Sequence, residues 1–540
     1  MSSRLLPIAG ILVVAALTAA CGGSAQPTAN AAADVKLVDT TPAAHGQLDR
    51  ATWMLPKEPT NLDLSNGDAN DQSDMIMANV CERLNKLEPD MSVGPGLASK
   101  YEWRTPTQLV FTIRDNATFH DGAPVTMADV LWSMQRNATD GNSESDEFVN
   151  VTSFAQTGPN ELTFTMKQPD AVFVEALAGN AGLIQERKVV EAQGKNFGTP
   201  SSPDACSGPL ALKEWKSGER VVLQKAANYW DTSKSSKVDE ITFKWAEDDA
   251  IVNSLITGSA QGAYIDNIAS AARLATSGGI TVSQGPDTRV WSLMVTERGG
   301  LADPNLRKAL SLALDRDGVN RAAFASLGQP WKEPVGSGAW GYEKDTFQAA
   351  YDKLTGSPAT PSNEDIAAAK KLVAAAKDTK PIVVASDGSS IRNTLANAVV
   401  DAAGKIGLQA SITQIPTAQY GDFYDNPDLR AKADLFADDY YISKTDPVGF
   451  YKNGASNSEV QWVFKDPAYD QLVLDGRAAL DPADRAQIAI TLAQRWADAK
   501  VWISAVQSPC TVALSDKVTG VPASGSVRYY PWAADLGTKG

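Results

Sequence analysis

Histidine is almost absent from this chain of 540 residues, in which His45 and His120 are the only two. A Ser–His–acid triad or an HExxH zinc site therefore lacks its parts, and metal or haem sites built on imidazole have almost no ligands to draw on. Among the 64 acidic residues, no spacing singles out the pair of carboxylates that glycoside hydrolases use. We expect no enzyme activity, no catalytic residue, no metal ligand and no cofactor.

Cysteine and clustered positive charge are scarce as well. The cysteines at positions 21, 81, 206 and 510 are too far apart for the CxxC spacing of zinc and redox motifs. The 49 Lys and Arg against 64 Asp and Glu give a net charge of −15, and no basic cluster stands out. The chain therefore lacks the basic patch by which proteins bind nucleic acid or an anionic membrane surface.

Only the N-terminus carries a long apolar run, at residues 5–20. These 16 residues, which include Pro7 and Gly10, are short for a membrane span of about 20 residues, and they suit the apolar region of an export signal. Residues 17–21, LTAAC, resemble a bacterial lipobox, although Thr18 stands where Leu or Val is usual. We predict a signal peptide over residues 1–20 and a lipid on Cys21; the alternative is an ordinary secretory signal with an incidental cysteine.

Residues 21–46 are rich in Ala, Gly, Pro and Thr and have few large apolar side chains. Such a segment cannot bury enough surface to become ordered, and we predict a flexible tether with a reach of about 25–30 Å. About 500 residues follow, and 43% of the whole chain is hydrophobic. That length predicts a large core divided among two or more domains.

The most informative segment is residues 108–133, QLVFTIRDNATFHDGAPVTMADVLWS. Leu109, Phe111 and Ile113 alternate with more polar positions, the pattern of a half-buried strand. Asp121, Gly122 and Pro124 then predict a turn. Thr126, with Asp129 three residues later, is a candidate N-cap for the helix that follows. The segment therefore predicts a strand, a turn and a helix.

This string resembles the signature of the extracytoplasmic solute-binding proteins of family 5, the oligopeptide, dipeptide and nickel receptors of ABC importers. The resemblance continues through residues 207–215 (SGPLALKEW), 303–316 (DPNLRKALSLALDR) and 466–472 (DPAYDQL), and covers the chain from about Trp53 to Pro531. It implies an α/β fold of the periplasmic-binding-protein type, with two lobes joined by crossing strands and an extra subdomain inserted in lobe I. It also implies a monomer.

Alternating strand and helix patterns agree with such a fold. With the resemblance as a guide, we predict lobe I over residues 47–79, 204–297 and 506–540. The inserted subdomain is expected over 80–203 and lobe II over 298–505. In related receptors of this family, positions 81 and 206 often carry cysteine together, so the resemblance implies a disulfide between Cys81 and Cys206. Three buried free thiols are the alternative.

The scarcity of histidine favours peptides over nickel as the solute. A peptide ammonium buried without a partner costs several kcal/mol, so a peptide site needs a carboxylate. Residues 436–447, FADDYYISKTDP, resemble the family segment whose first Asp holds the peptide amino terminus, and the alignment allows either Asp438 or Asp439. Further candidates for lining the ligand site are Tyr440, Tyr441, Asp446, Trp291, Trp340 and Trp462.

The resemblance therefore implies a lipid-anchored substrate-binding protein on the extracytoplasmic face of the cell membrane. It would capture extracellular peptides between its lobes and deliver them to the permease subunits of an ABC importer. Two alternatives remain open. One is a receptor of the same fold for another solute, an oligosaccharide or glycopeptide. The other is an envelope protein, with an interaction or enzyme role, that takes no part in transport.

Overall fold

The structure is a computed structural model and describes residues 36–539. The predicted signal peptide, Cys21 and the first part of the predicted tether lie outside the described residues. The strands are β1 (Leu48–Leu55), β2 (Asn85–Leu87), β3 (Val93–Pro95), β4 (Ala98–Thr105), β5 (Gln108–Ile113), β6 (Val151–Gly158), β7 (Glu161–Met166), β8 (Leu210–Lys216), β9 (Arg220–Lys225), β10 (Val238–Trp245), β11 (Gly262–Tyr264), β12 (Ile280–Gly285), β13 (Val290–Val295), β14 (Gln329–Pro330), β15 (Ile382–Ser386), β16 (Ala410–Gln414), β17 (Leu435–Tyr440), β18 (Trp502–Gln507), β19 (Cys510–Ser515), β20 (Val518–Thr519) and β21 (Gly537–Thr538).

The helices are α1 (Asp71–Met77), α2 (Met127–Asn137), α3 (Ala171–Ala176), α4 (Arg187–Gln193), α5 (Asp248–Ile256), α6 (Ile268–Ala275), α7 (Pro304–Ala313), α8 (Arg316–Phe324), α9 (Lys344–Asp352), α10 (Asn363–Ala375), α11 (Ser390–Lys405), α12 (Thr417–Tyr420), α13 (Pro427–Arg430), α14 (Pro447–Tyr451), α15 (Pro467–Ala478) and α16 (Pro482–Ala499). Within residues 36–539, no helix combines the length and the apolar character that crossing a membrane requires.

The first lobe is built on a seven-stranded sheet in the order β12-β19-β11-β1-β10-β9-β8. The central strand β1 is parallel to β10 and β11, and the outer pairs are antiparallel. Trp53 of β1 is fully buried, with ring centroids 5.3 Å from Tyr264 and 4.4 Å from Trp532. These large aromatic side chains bring the two ends of the chain into one core.

The insert has its own four-stranded antiparallel sheet, in the order β4-β5-β7-β6, which is covered by α2 and α3. Phe111, Phe164 and Phe173 form the centre of its core. The strand and the helix predicted from residues 108–133 are confirmed as β5 and α2. Thr126 caps α2 in a reciprocal capping box with Asp129.

The second lobe contains a six-stranded sheet in the order β14-β18-β13-β17-β15-β16, with α7, α8 and α11 packed against it. Strand β13 pairs with both β17 and β18, so residues 290–297 belong to this lobe and not to the first lobe, where the sequence placed them. The crossings between sheets therefore lie at 286–289 and 508–509 instead of near 297 and 505. Each crossing contains a proline, Pro286 in the first and Pro509 in the second. Because proline has no backbone N–H to donate to a neighbouring strand, it favours the end of a strand at these positions.

The predicted tether is shorter than residues 21–46. The backbone N–H of Val38 donates to Gln284 at 2.8 Å, the backbone N–H of Thr41 donates to Val521 at 2.9 Å, and Gly46 forms a bridge with Thr538. These contacts use backbone groups, which need no apolar side chains, and composition therefore gave no sign of them.

Cys81 and Cys206, the pair implied by the family resemblance, are joined in a disulfide with their Cα atoms 4.7 Å apart. Cys81 follows α1 and Cys206 precedes β8, so the bond ties together the two chain segments that lead into and out of the insert. Cys510, at the start of β19, is the one free cysteine of residues 36–539.

Candidate functional site

A cavity of about 210 Å³ lies where the chain crosses between the two large sheets. The first lobe contributes β11 and the start of β19, and the second lobe contributes β13 and β17. The charged and aromatic side chains in its lining include Asp266, Asp287, Arg289, Trp291, Asp439 and Arg528. Both lobes line the same space, which is where a protein that closes by a hinge encloses its solute.

Strand geometry decides which of the two adjacent acids reaches this cavity. In β17 the register places Asp439 opposite Trp291 of β13, and both side chains line the cavity. Successive side chains of a strand point to opposite faces of the sheet. Asp438 accordingly points away from the cavity, pairs with Arg392 at 3.2 Å and accepts a hydrogen bond from the Tyr424 hydroxyl at 2.8 Å.

Arg289 lies among the carboxylates of the cavity. Its guanidinium nitrogens are 3.6 Å from the nearest Asp439 oxygen and 3.7 Å from those of Asp266 and Asp287. Arg528 is 3.9 Å from Asp287. These separations exceed the about 2.7–2.9 Å of charge-assisted hydrogen bonds. The charged groups therefore attract one another without being tied into direct pairs.

The carboxyl group of Asp439 has an altered acidity. Burial raises its pKa to about 6, Arg289 opposes the rise, and the neighbouring Asp438 adds to it. Its side chain keeps 29% of its accessible surface. An incoming cation would favour the ionised form of this carboxyl group, because an opposite charge nearby stabilises the charged state.

The other predicted site residues have different surroundings. Tyr441 adjoins the cavity indirectly: Arg528 lies 4.7 Å above its ring, and its hydroxyl donates to Tyr529 at 3.2 Å. The remaining aromatic candidates pack in the core of the second lobe, Tyr440 on Trp502 and Phe450, Trp462 on Phe436 and Arg430, and Trp340 on Trp331 and Phe347. The structure does not bring these three to the cavity.

Asp446 is also away from the cavity and is fully buried. It caps α14 by accepting from the backbone of Val448 at 2.8 Å. Its other oxygen accepts from Arg485 at 2.7 Å, and the Tyr342 hydroxyl donates to the carboxylate at 3.2 Å. All of these hydrogen-bond partners belong to the second lobe, so they assign Asp446 a role in folding.

The sequence reading missed four charged residues of the cavity, Asp266, Asp287, Arg289 and Arg528. Asp287 and Arg289 lie within the first crossing, and Arg528 ends a 3₁₀ helix, Gly525–Arg528. The only sequence signal for these four residues was that each is an isolated charge close to an apolar strand. Their convergence depends on the crossing of the two sheets, which no local pattern reports. Within residues 36–539, no group of His, Cys, Asp and Glu is placed to hold a metal ion.

The insert and the second lobe meet through buried ion pairs outside the cavity. Arg477 of α15 donates to Asp170, the N-cap of α3, at 2.7 Å. Lys444 is 2.6 Å from Glu147 of the 3₁₀ helix Ser145–Asn150. Burial raises the pKa of Glu147, but Lys444, Lys452 and Arg477 outweigh it and lower the pKa to about 2. The lobes are thus in contact through charges that a solute need not touch.

Two α/β lobes joined by crossings, with a cavity between them, define a protein of the periplasmic-binding-protein type. The chain belongs to the bacterial extracellular solute-binding proteins, family 5. The family model described as "Bacterial extracellular solute-binding proteins, family 5 Middle" matches residues 92–462. The resemblance and the fold class predicted from the sequence are confirmed.

Among curated proteins, the chain is 26% identical over 264 residues to the probable D,D-dipeptide-binding periplasmic protein DdpA of Escherichia coli, covering 46% of this chain and 51% of DdpA. It is 28% identical over 270 residues to the glutathione-binding protein GsiB of Salmonella typhimurium, covering 49% of this chain and 52% of GsiB. The chain therefore spans about half the length of the curated relatives it matches.

Solved structures share the fold at low identity. The substrate-binding protein CtaP of Listeria monocytogenes has a TM-score of 0.77 and 19% identity, covering 92% of this chain and 100% of CtaP. DppA of Helicobacter pylori, in complex with the peptide STSA, has a TM-score of 0.71 and 15% identity, covering 92% of this chain and 99% of DppA.

Proposed function

We propose that this protein is the solute-binding component of an ABC importer and that its solutes are peptides, which it captures between its lobes and releases to a permease. Family membership supports the first part. Two relatives are named for binding a D,D-dipeptide and glutathione, both peptides, and both are named as binding proteins. The proposed role is binding without chemistry, in which the lobes enclose the solute unchanged.

The single observation that carries the peptide proposal is the position of Asp439. Its carboxylate lines the cavity between the lobes, and among residues 36–539 the nearest cation that competes for it is Arg289, at 3.6 Å. A peptide ammonium that enters a water-poor site needs such a partner, because an unpaired buried charge costs several kcal/mol. Trp291, opposite Asp439 in the register, offers an apolar wall beside it.

Replacement of the acid tests this proposal. Asp439→Asn should weaken a peptide with a free amino end by about 2–5 kcal/mol, the cost of breaking a buried charged pair. The N-acetylated form of the same peptide, which has no charge for Asp439 to meet, should lose much less. A mixture of Ala-X-Ala tripeptides, with X each residue except cysteine, provides the ligands, and equilibrium dialysis with mass spectrometry measures their affinities.

Asp438→Asn is the matched control, because it makes the same chemical change one residue away on the opposite face of β17. It should leave the preference for the free amino end intact. Equal losses for free and acetylated peptides in Asp439→Asn would contradict the proposed role of Asp439. Retention of no tripeptide at all by the unaltered protein would contradict the peptide proposal itself.

We also propose that the protein acts as a monomer anchored by lipid on Cys21 at the extracytoplasmic face of the membrane. The proposal rests on the lipobox-like LTAAC string and on DdpA and DppA, which are both named periplasmic. Cys21→Ala should abolish acyl labelling and move the protein from the membrane fraction to the soluble fraction. Cys510→Ala, which alters a cysteine inside the fold, should leave both unchanged; unaltered labelling of Cys21→Ala would contradict the anchor.

A further inference from the structure

The second lobe carries a glycine-rich loop, residues 336–341 (GSGAWG), that spells the motif G-x-G-x-x-G. In dinucleotide-binding folds this motif directly follows a strand and opens an α-helix, and its N–H groups bind phosphate. Here β14 ends at Pro330 and α9 begins at Lys344, with a short 3₁₀ helix, Ser337–Ala339, between them. That context does not match the dinucleotide fold, so the glycines need another explanation.

The loop lies against the first crossing. The N–H of Gly336 donates to the carbonyl oxygen of Thr288 at 2.9 Å, and the N–H of Gly338 donates to that of Asp287 at 3.0 Å. A Cβ atom added at Gly336 would lie 2.3 Å from the carbonyl oxygen of Asp287, and one added at Gly338 would lie 2.6 Å from its carbonyl carbon. Both distances are shorter than van der Waals contact, so the close approach of two backbones requires glycine at these positions.

The same loop also holds the second crossing. The N–H of Ser337 donates to the side-chain oxygen of Gln507 at 2.7 Å. Gln507 is fully buried and ends β18, directly before residues 508–509. At the end of the loop, a Cβ atom added at Gly341 would lie 2.9 Å from the carbonyl oxygen of Met91 in the insert. One loop of the second lobe is therefore in contact with both crossings and with the insert.

The beginning of the first crossing is held by the first lobe instead. The N–H of Val38 donates to the carbonyl oxygen of Gln284 at 2.8 Å, and the N–H of Gly525 donates to that of Pro286 at 2.9 Å. The hydrogen-bond partners of the chain therefore change from the first lobe to the second lobe between Pro286 and Asp287. The loop lies on the second-lobe side of this change, where the movement of a hinge meets the lobe that it moves.

We infer that Gly336 and Gly338 are positioning residues for solute capture: the lobes enclose a solute only while both crossings lie against the loop 336–338. This inference rests on the proposed function. A side chain at either glycine would push the first crossing away from the second lobe and so disfavour the closed arrangement, while the cavity itself is lined by other residues. Because every solute needs the same closure, such a change should weaken the binding of all solutes by one factor.

Equilibrium dialysis of Gly338→Ala with the Ala-X-Ala tripeptides, free and N-acetylated, tests this inference. Both affinities should fall by the same factor, about tenfold or more, as expected when a close contact is overpacked. The number of peptides bound per protein at saturation should not change. Unchanged affinities, a changed ratio of free to acetylated affinity, or fewer binding sites of unchanged affinity would each overturn the inference.

Gly404→Ala is the matched control, because it makes the same substitution in α11 of the second lobe, where the added Cβ meets open space among the described residues. It should bind both forms of the tripeptides as the unaltered protein does. Gln507→Met, which keeps the length of the side chain and removes the acceptor for Ser337, replaces Gly338→Ala if thermal unfolding shows that variant to be unfolded. It is judged by the same ratio and the same stoichiometry.

A second measurement needs no peptide. Helix α3 of the insert is joined to the second lobe through its N-cap Asp170, which accepts from Arg477 at 2.7 Å. Hydrogen–deuterium exchange of α3 in the protein without peptide should be faster in Gly338→Ala than in the unaltered protein, because the lobes separate more often. Equal exchange would overturn the inference. Retention of no tripeptide by the unaltered protein would overturn the proposed peptide function, and the exchange of α3 then decides whether the loop controls closure.

Discussion

Asp438 and Asp439 are chemically identical neighbours, and the pleat of β17 gives them opposite surroundings. Asp438 is held by Arg392 and Tyr424 in the second lobe. Asp439 lies in the cavity and faces Arg289 at 3.6 Å. The first acid thus has partners in the fold, whereas the second is available to a solute. The proposed ammonium site is therefore Asp439 and not Asp438, because successive side chains of a strand point to opposite faces of the sheet.

Binding should depend on pH through Asp439. Its pKa is raised to about 6, chiefly by burial, and only the ionised carboxyl group pairs with an ammonium. The affinity for tripeptides with a free amino end should be constant well above pH 6 and fall as the pH drops through 6, by up to about tenfold per pH unit below it. Equilibrium dialysis between about pH 7.5 and pH 5 measures the slope.

The Asp439→Asn variant separates this titration from others. Burial also raises the pKa of Asp74 to about 6 and that of Glu175 to about 7, and both titrate in the variant as well. The part of the slope that disappears in Asp439→Asn therefore belongs to Asp439. An identical pH profile in the two proteins would contradict its role as the ammonium partner.

At the scale of single residues, the sequence led to the correct segment but not to the complete charge set. Residues 436–447 contain Asp439, and the family resemblance pointed to them. Trp340, Trp462 and Tyr440 were plausible cleft residues, yet each packs with other aromatic side chains in the second lobe. An aromatic residue serves a core and a cleft equally well, so its identity alone does not distinguish them.

At the scale of secondary-structure elements, local signals were reliable and long-range ones were not. Strand β5 and helix α2 follow from alternation and a capping box, both of which lie within a few neighbouring residues. Strand β13 is apolar and fits either sheet by sequence, and its pairing with β17 and β18 joins segments more than a hundred residues apart. The crossings at 286–289 and 508–509 were therefore predicted several residues out of place.

The contact between the insert and the second lobe carries a prediction at this scale. Arg477 and Asp170 form a buried pair across it, with 10% and 0% of their side chains exposed. Arg477→Gln leaves the Asp170 carboxylate without a charged partner while the insert and the second lobe are in contact, with only the Asn150 amide, among residues 36–539, donating to it. We expect this loss to cost about 3–5 kcal/mol, whereas separation of the lobes would return the carboxylate to water. The variant should therefore bind tripeptides more weakly, because the closed state is less populated.

Arg495→Gln is the matched control for this contact. Its pair with Asp466 lies within the second lobe and is more exposed, at 41% and 27%, so its loss should leave affinity unchanged. The double variant Arg477→Gln/Asp170→Asn removes both charges and should regain part of the lost affinity. Affinity that is unaltered in Arg477→Gln would show that this ion pair does not contribute to closure.

At the scale of the whole molecule, we propose that the two lobes close on a peptide. The family resemblance predicted this architecture from a short signature because the fold is shared by proteins at 15–19% identity. We expect the ion pairs between the insert and the second lobe, such as those of Arg477 with Asp170 and Lys444 with Glu147, to contribute to the relative placement of the lobes. A peptide whose ammonium group pairs with Asp439 should bind the closed arrangement more tightly and so shift the population of the lobes toward closure.

Small-angle X-ray scattering tests closure of the two lobes on a peptide most directly. It compares the protein alone with the protein saturated with one tripeptide, the one for which dialysis gives the highest affinity. We predict a smaller radius of gyration at saturation with the free peptide, and no change for Asp439→Asn at the same peptide concentration. An identical radius for the free and the saturated protein, with saturation shown by dialysis in the same sample, would contradict capture by closure of the two lobes.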